Sequence, residues 1–268
     1  AMALRQALQA GKIGKVGLVG AGPIGCELAE AFKSLWGAEV ILFDAAPTVL
    51  PAMLDKEMAR FLETYLREQG VKLHTDCPLT GIAEAKEGVV IQTPQGDFTV
   101  DQAVIAIGVR PETSLAAACG LQIGLTGGIV VDEKMRTSDP NILAAGDCAE
   151  LRHLISQKPV LLPLGSLANR EGRVIGSNLG GGDERFGPVV GSAAVKVFDL
   201  NVAATGLTRR AAEEAGFAVG EAWGSFTDKA DYFPGAENLY LKLVYDRKTT
   251  QLLGLQALSQ GEAVKRVD

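Results

Sequence analysis

Histidine is nearly absent from this sequence, with His74 and His153 the only two in 268 residues. Acid–base catalysis near neutral pH draws on histidine more than on any other side chain. Nothing in the sequence pairs either histidine with a carboxylate, so both read as surface or core residues and a self-sufficient acid–base dehydrogenase lacks its obvious catalyst. Cysteine is sparse and scattered, at positions 26, 77, 119 and 148, with no C-x-x-C pair. Such spacing excludes a disulfide framework, and two histidines cannot complete a metal cluster with it, so no metal site is expected. Reduced, mostly buried thiols in a cytoplasmic protein are the expectation. Cys26 falls at the start of a helix, where a thiol pKa can be depressed, but it reads as a small packing residue. No apolar run approaches the roughly 20 residues that span a bilayer, and no signal peptide opens the chain. Positive charge is outnumbered: 26 Lys and Arg against 32 Asp and Glu give a net charge of −6. That balance argues against nucleic acid or an anionic membrane as a partner.

What is present is an ordinary globular composition, 47% hydrophobic and 22% charged, with 32 glycines and a length that suits two modest domains. The chain is organised around residues 15–44. Val16, Leu18 and Val19 form a short apolar run suited to a buried parallel strand. Gly20, Ala21, Gly22, Pro23, Ile24 and Gly25 then spell G-x-G-x-x-G, followed by a helix whose apolar face is Ile24, Leu28, Ala31, Phe32 and Leu35. The glycines have separate tasks: Gly20 makes the tight turn, Gly22 lets a pyrophosphate approach the backbone, and Gly25 packs the helix on the sheet. Pro23 suits the first helical turn, whose free N–H groups and dipole favour an anion. A second strand over 40–43 ends in Asp44, 24 positions after Gly20, close to the roughly 20 expected of a ribose-binding carboxylate. Asp44 would accept from the adenine ribose hydroxyls and repel a 2′-phosphate. Ala45, Ala46 and Pro47 offer no charge to offset it, so NAD(H) is expected over NADP(H).

The rest of the chain extends an α/β pattern. A lead-in helix over 4–10 ends at Gly11, with Ala1 before Met2 reading as a cloning remnant. Asp55 is the expected N-cap of a helix whose apolar positions are Met58, Phe61, Leu62, Tyr65 and Leu66 and which stops at Gly70. A strand follows over 71–73. Residues 79–100 change to short strands with turns at Lys86-Glu87-Gly88 and around Pro94, an antiparallel meander inserted into the α/β domain. A buried strand over 103–107 runs into Gly108. Strands are expected over 129–131 and 141–145, the latter stopping at Gly146-Asp147, and a helix over 164–179. Beyond Gly180-Gly181-Gly182 the alternation reads as an α+β module with an antiparallel sheet.

Four patterns occur in order: GLVGAGPIGCELAEAF with Asp44, AVIAIGVRPETSLA, TSDPNILAAGDCAE, and AVKVFDLNVAATGLT followed by KADYFPGAENLYLKLVYD and GEAVKRVD. Together they resemble the pyridine nucleotide-disulfide oxidoreductases, most closely the branch with coenzyme A-disulfide reductases and NADH oxidases. The resemblance implies a Rossmann-like NAD(H) domain over 13–110 after a lead-in helix (1–12), part of an FAD domain over 111–187, and an interface domain over 188–268 that dimerises. It implies that Gly20, Gly22, Pro23, Ile24, Gly25, Asp44 and Gly108 bind NAD, with Glu27 near the nicotinamide. Gly146 and Asp147 would meet FAD, and Tyr232 would reach the partner subunit's reactive cysteine in the dimer. Without the resemblance Asp147 reads equally as a turn cap, and Tyr232 as a packing or surface residue. Family members carry an earlier FAD glycine motif and a redox cysteine that these residues do not contain, and the interface domain stops short of its last helices. The expectation is therefore a fragment of an FAD-dependent NADH:disulfide oxidoreductase that binds NAD(H), lacks flavin and does not turn over. The alternative is a non-catalytic NAD(H)-binding, redox-sensing module.

Overall fold

A computed structural model describes residues 2–230 and 232–267; Ala1, Asp231 of the Asp-Tyr-Phe-Pro motif and Asp268 lie outside the described residues. The chain forms two compact units, one comprising everything up to Gly108 together with everything from Ser192, the other running from Val109 to Gly191. The fold is α/β, with parallel and antiparallel sheets.

The first unit opens with α1 (Met2–Gln9) and continues through β1 (Lys15–Val19), α2 (Pro23–Glu30), β2 (Glu39–Phe43), α3 (Lys56–Glu68) and β3 (Lys72–His74). The last turn of α2 widens to a π-helix over Ala31–Leu35. The meander forms as β4 (Gly81–Glu84), β5 (Val89–Thr93) and β6 (Gly96–Val100), and β7 (Gln102–Ile105) returns to the parallel sheet. Strand order is β3-β2-β1-β7, all parallel. The apolar runs of β1 and β2 are buried because helices cover one face and the meander the other, where Val19, Ile41 and Phe43 meet Ile91 and Val100.

The second unit contains α4 (Ser114–Ala118), β8 (Ile129–Val130), β9 (Ala149–Arg152), β10 (Pro159–Val160) and α5 (Gly165–Leu179). Its core is Met135, Leu151, Leu167, Val174, Phe186 and Val189. The strand expected over 141–145 does not form; only Leu143 bridges to Arg136. Local side chains take the backbone groups instead. Asp139 Oδ1 accepts from the Asn141 amide at 2.9 Å, and Thr137 Oγ1 accepts from the Asp139 amide at 3.2 Å. Short polar side chains compete with a ladder in this way.

The chain then rejoins the first unit as β11 (Ala193–Val197), β12 (Leu200–Gly206), α6 (Arg209–Glu214), β13 (Val219–Thr227), β14 (Asn238–Asp246), β15 (Leu252–Ser259) and a 3₁₀ turn, Glu262–Val267. The sheet is antiparallel, ordered β11-β12-β15-β14-β13. Thr208 caps α6 by accepting from the Ala211 amide. One core runs across the unit: Val16, Phe32 and Leu62 share it with Val195, Val197, Val202 and Leu258. Glu30 adds a polar tie, accepting from the Phe198 amide at 2.7 Å.

Asp55 stands where the sequence places it, with its side chain turned to another task. It occupies the N-cap position of α3 but makes no capping bond with its side chain. Its carboxylate instead accepts from the Arg209 amide at 3.0 Å and Gln256 Nε2 at 2.7 Å, and pairs with Lys242 Nζ at 3.0 Å.

Candidate functional site

At the carboxyl ends of β1, β2 and β7 lies a cleft of about 620 Å³. Gly20, Gly22, Pro23, Ile24 and Asp44 line it on the side of the glycine turn and second strand, Ile105, Ala106, Ile107 and Gly108 on the side of β7, and Leu50, Pro51, Ala52 and Met53 from the loop before α3. Such an end of a parallel sheet is where open α/β folds hold ligands. The ladder extends into the turn: the Gly20 amide donates to the Phe43 carbonyl, and the Ala106 amide to the Val19 carbonyl, both at 2.7 Å.

The glycines of the turn divide by what a side chain would meet. A Cβ on Gly25 would collide with the Gly20 carbonyl oxygen, so this glycine is required by the approach of α2 to the turn. At Gly22 a Cβ would meet nothing within 4 Å, and φ is −75°, accessible to any residue. The fold itself makes no demand for glycine there. The space over Gly22 lies at the amino end of α2, where free backbone amides and the helix dipole favour an anion.

Asp44 ties this turn to the loop that follows. Its Oδ2 accepts from the Ala21 amide at 2.5 Å and its Oδ1 from the Ala46 amide at 2.7 Å. The Leu50 amide donates back to the Ala21 carbonyl at 2.9 Å. Leu50 has a φ of +47°, uncommon for a branched side chain, and its side chain is buried. Among the described residues no lysine or arginine lines the cleft. Glu27 is exposed on α2 and outside the lining. Cys26 is fully buried; burial, followed by the charges of Asp44 and Glu27, pushes its thiol up to about 12. The thiol is therefore un-ionised, which suits packing and not redox chemistry.

In the second unit Gly146 and Asp147 sit at the turn entering β9. Asp147 is exposed and lines an open cavity of about 740 Å³ with Arg110, Pro111, Glu112, Cys148 and the start of α5. Beneath it, Glu171 Oε2 accepts from the Gly146 amide at 2.6 Å. Glu171 is 1% exposed. Burial raises its pKa, the Gly146 hydrogen bond opposes the rise, and the charge of Asp147 adds to it. Sequence reading passed over this residue. The signal was available: Leu167, Glu171 and Val174 fall on one helical face, so a carboxylate interrupts the apolar stripe of α5.

The histidines are structural. His153 Nδ1 accepts from the Ile155 and Ser156 amides at 3.3 and 3.2 Å, leaving Nε2 to donate to the Val190 carbonyl at 3.3 Å; burial lowers its pKa. His74 stacks on Phe43 and meets the edge of Phe98. Tyr232 is 83% exposed, its ring 4.9 Å from that of Phe233. Among the described residues no group of three His, Cys, Asp or Glu side chains is placed to hold a metal, and no helix is long and apolar enough to cross a membrane.

Comparison with known proteins agrees with this arrangement. The sequence profile of the pyridine nucleotide-disulphide oxidoreductases matches residues 1–168, and the profile of their dimerisation domain matches residues 192–267. The NAD(P)H sulfur oxidoreductase (CoA-dependent) of Pyrococcus furiosus is 37% identical over 269 aligned residues, covering 100% of this chain and 60% of the relative. The NAD-dependent persulfide reductase of A. fulgidus has a similar structure, with a TM-score of 0.94 at 39% identity over 97% of this chain and 48% of that one. An engineered water-forming NADPH oxidase bound to NADPH, a mutant of the Lactobacillus brevis NADH oxidase, gives a TM-score of 0.92 at 27% identity, covering 100% of this chain and 60% of its own. This chain thus spans between about half and three fifths of the length of these proteins.

Proposed function

This chain belongs to the pyridine nucleotide-disulphide oxidoreductases, and from that footing we propose that its first unit binds NADH for hydride transfer to a flavin. The electron pair would then pass to a disulfide, a persulfide or oxygen. The observation that carries the reading is the open space over Gly22 at the start of α2, in a cleft where Asp44 is the one charged lining residue among the described residues. The pyrophosphate would lie against the free amides of the first turn of α2. Asp44 would accept the adenine ribose hydroxyls. Each carboxylate oxygen has two acceptor positions, so the bonds from Ala21 and Ala46 leave room for both hydroxyls. Gly108, with φ +105°, closes the cleft on the side of β7, and Glu27 would lie at its nicotinamide end.

The preference for NADH over NADPH has independent support. In the engineered NADPH oxidase an aspartate is replaced by alanine, the alanine after it by arginine, and a proline seven positions beyond the aspartate by arginine. At the same spacing the present chain has Asp44, Ala45 and Pro51, with Ala46 where that oxidase replaces a methionine. Asp44, Ala45 and Pro51 line the cleft, so the 2′-phosphate would face one carboxylate and no cation.

Flavin, when bound, supplies the two-electron acceptor chemistry that amino-acid side chains lack. The donor set of the second unit fits its polyol chain. Asp147 offers an exposed carboxylate to hydroxyls, and Glu171 fixes the Gly146 amide behind it. In the whole protein, residues 13–110 would form the NAD(H) domain, 111–187 part of the FAD domain and 188–268 the dimerisation domain, with Tyr232 directed at the partner subunit's reactive centre. The four unpaired cysteines support a cytoplasmic protein. These 268 residues contain one dinucleotide glycine motif, so on their own they are expected to bind NADH without oxidising it.

The test is the visible absorption spectrum of the purified chain before and after denaturation, followed by NADH titration of the same sample. Saturable NADH binding without flavin absorbance is the expected result. Bound flavin would make residues 111–187 a sufficient flavin site and overturn the expectation of no turnover. No NADH binding would remove the assignment of the cleft.

A further inference from the structure

The loop that walls the cleft is held at two ends. At one, Asp44 and Ala21 bind the Ala46 and Leu50 amides. Within the loop the Met53 and Leu54 amides both donate to the Leu50 carbonyl at 2.9 Å. The other end is Asp55, and every side-chain atom that holds it comes from the antiparallel sheet. Gln256 on β15 grips it twice: Oε1 accepts the Asp55 amide at 2.8 Å, and Nε2 donates to Asp55 Oδ2 at 2.7 Å. Lys242 on β14 pairs with the same carboxylate at 3.0 Å. It also meets Glu57 at 3.0 Å and Glu221 at 2.5 Å. Asp55, Gln256 and Lys242 are all buried, so these bonds are little screened by water. Burial opposes the Lys242 charge, but the three carboxylates outweigh it and hold its pKa above the ordinary value.

Resting on the assignment of the cleft to NADH, we propose that Gln256 and Lys242 are positioning residues of the dinucleotide site. They act through Asp55 on residues 50–53, the wall that follows Asp44 and therefore faces the adenosine half. The path is short. A shift of Asp55 moves the turn closed on the Leu50 carbonyl, and the Leu50 amide is bonded to Ala21, the residue between the first two glycines of the motif. Cementing α3 to the sheet is the competing role, and it predicts a lower melting temperature with unchanged affinity in any variant that still folds.

The experiment is calorimetric titration of the 268-residue chain with NADH and with ADP-ribose, for Gln256→Leu and Asp55→Asn, well below the unfolding transition followed by circular dichroism. Gln256→Leu removes both bonds to Asp55. Asp55→Asn keeps the volume and the amide bond to Gln256 but removes the charge facing Lys242, and it decides the matter if the leucine variant does not fold. The expected result is a loss of roughly three- to tenfold in affinity for both ligands. Folded variants that bind NADH as the unsubstituted chain does overturn the proposal alone. So does weakened NADH binding with unchanged ADP-ribose binding, because the wall would then not face the adenosine half. If the unsubstituted chain binds neither ligand, the assignment of the cleft fails and the proposal falls with it.

Discussion

The Ala21 amide donates to Asp44 Oδ2 at 2.5 Å, tying the glycine turn to the end of the second strand across 23 positions of sequence. Asp44 therefore holds the turn, and in the proposed function it would also face the ribose. Asp44→Ala should weaken NADH binding by roughly 10- to 100-fold, the loss expected for hydrogen bonds to a charged group. NADPH should lose less, since its 2′-phosphate is relieved of a facing carboxylate. Titration of the variant with both nucleotides checks this, and an unchanged NADH-to-NADPH ratio removes Asp44 from the ribose role.

Gly22 and Gly25 should part company on substitution. A Cβ at Gly22 meets no atom within 4 Å, and the backbone φ of −75° there is open to any residue. Gly22→Val should thus melt within a few degrees of the unsubstituted chain while abolishing nucleotide binding. Gly25→Val drives a side chain into the Gly20 carbonyl and should destabilise by about 1–3 kcal/mol or more. Thermal melts paired with NADH titration separate the two; retained affinity in Gly22→Val makes the turn merely structural.

The glycine turn was legible in the sequence because its geometry is local: three glycines, a proline and an acid at set spacing state the backbone path. The meander was legible for a similar reason, since its turn residues punctuate it. Asp55 stands at the N-cap position read from the sequence, but a capping acid and an acid held from elsewhere look alike in sequence, and its side-chain partners, Arg209 and Gln256, lie 154 and 201 positions away. The strand expected over 141–145 failed because Thr137 and Asp139 take the backbone groups it needed. Glu171 left a trace, a charge in the apolar stripe of α5, whereas Lys242 alternates with Leu241 and Leu243 and reads as the outward face of its strand; nothing in the sequence names the amide or the carboxylates they meet.

Glu171 should impose a pH dependence on stability. Its folded-state pKa lies above its ordinary 4.5, so the folded chain binds more protons than the unfolded one between those two values. Stability from this group is full below the ordinary carboxylate range and declines as pH rises through the raised pKa. Glu171→Gln keeps an acceptor for the Gly146 amide and removes the proton. Denaturant titrations across that window should show a shallower decline for the glutamine variant and greater stability than the unsubstituted chain at its alkaline end. Glu171→Ala should instead cost about 1–3 kcal/mol, since it strands the Gly146 amide. An identical pH slope in the glutamine variant would mean that Glu171 binds protons alike in the folded and unfolded chain.

Two lysines with carboxylate partners should differ sharply when truncated. Lys72 pairs with Glu39 at 2.8 Å, with side chains 60% and 42% exposed, and water screens the pair. Lys72→Ala should cost no more than about 1 kcal/mol. Lys242 is 2% exposed and meets Asp55, Glu57 and Glu221. Lys242→Ala leaves these carboxylates facing one another, two of them with little access to water, and should cost about 3–5 kcal/mol. Added salt distinguishes the cases further. Screening acts on exposed charges and barely reaches buried ones, so raising ionic strength should erase what little Lys72 contributes and leave the Lys242 deficit in place. Urea unfolding of both variants at low and high salt is the measurement. Comparable deficits for the two lysines would show that water reaches the Lys242 cluster and that its burial does not isolate it.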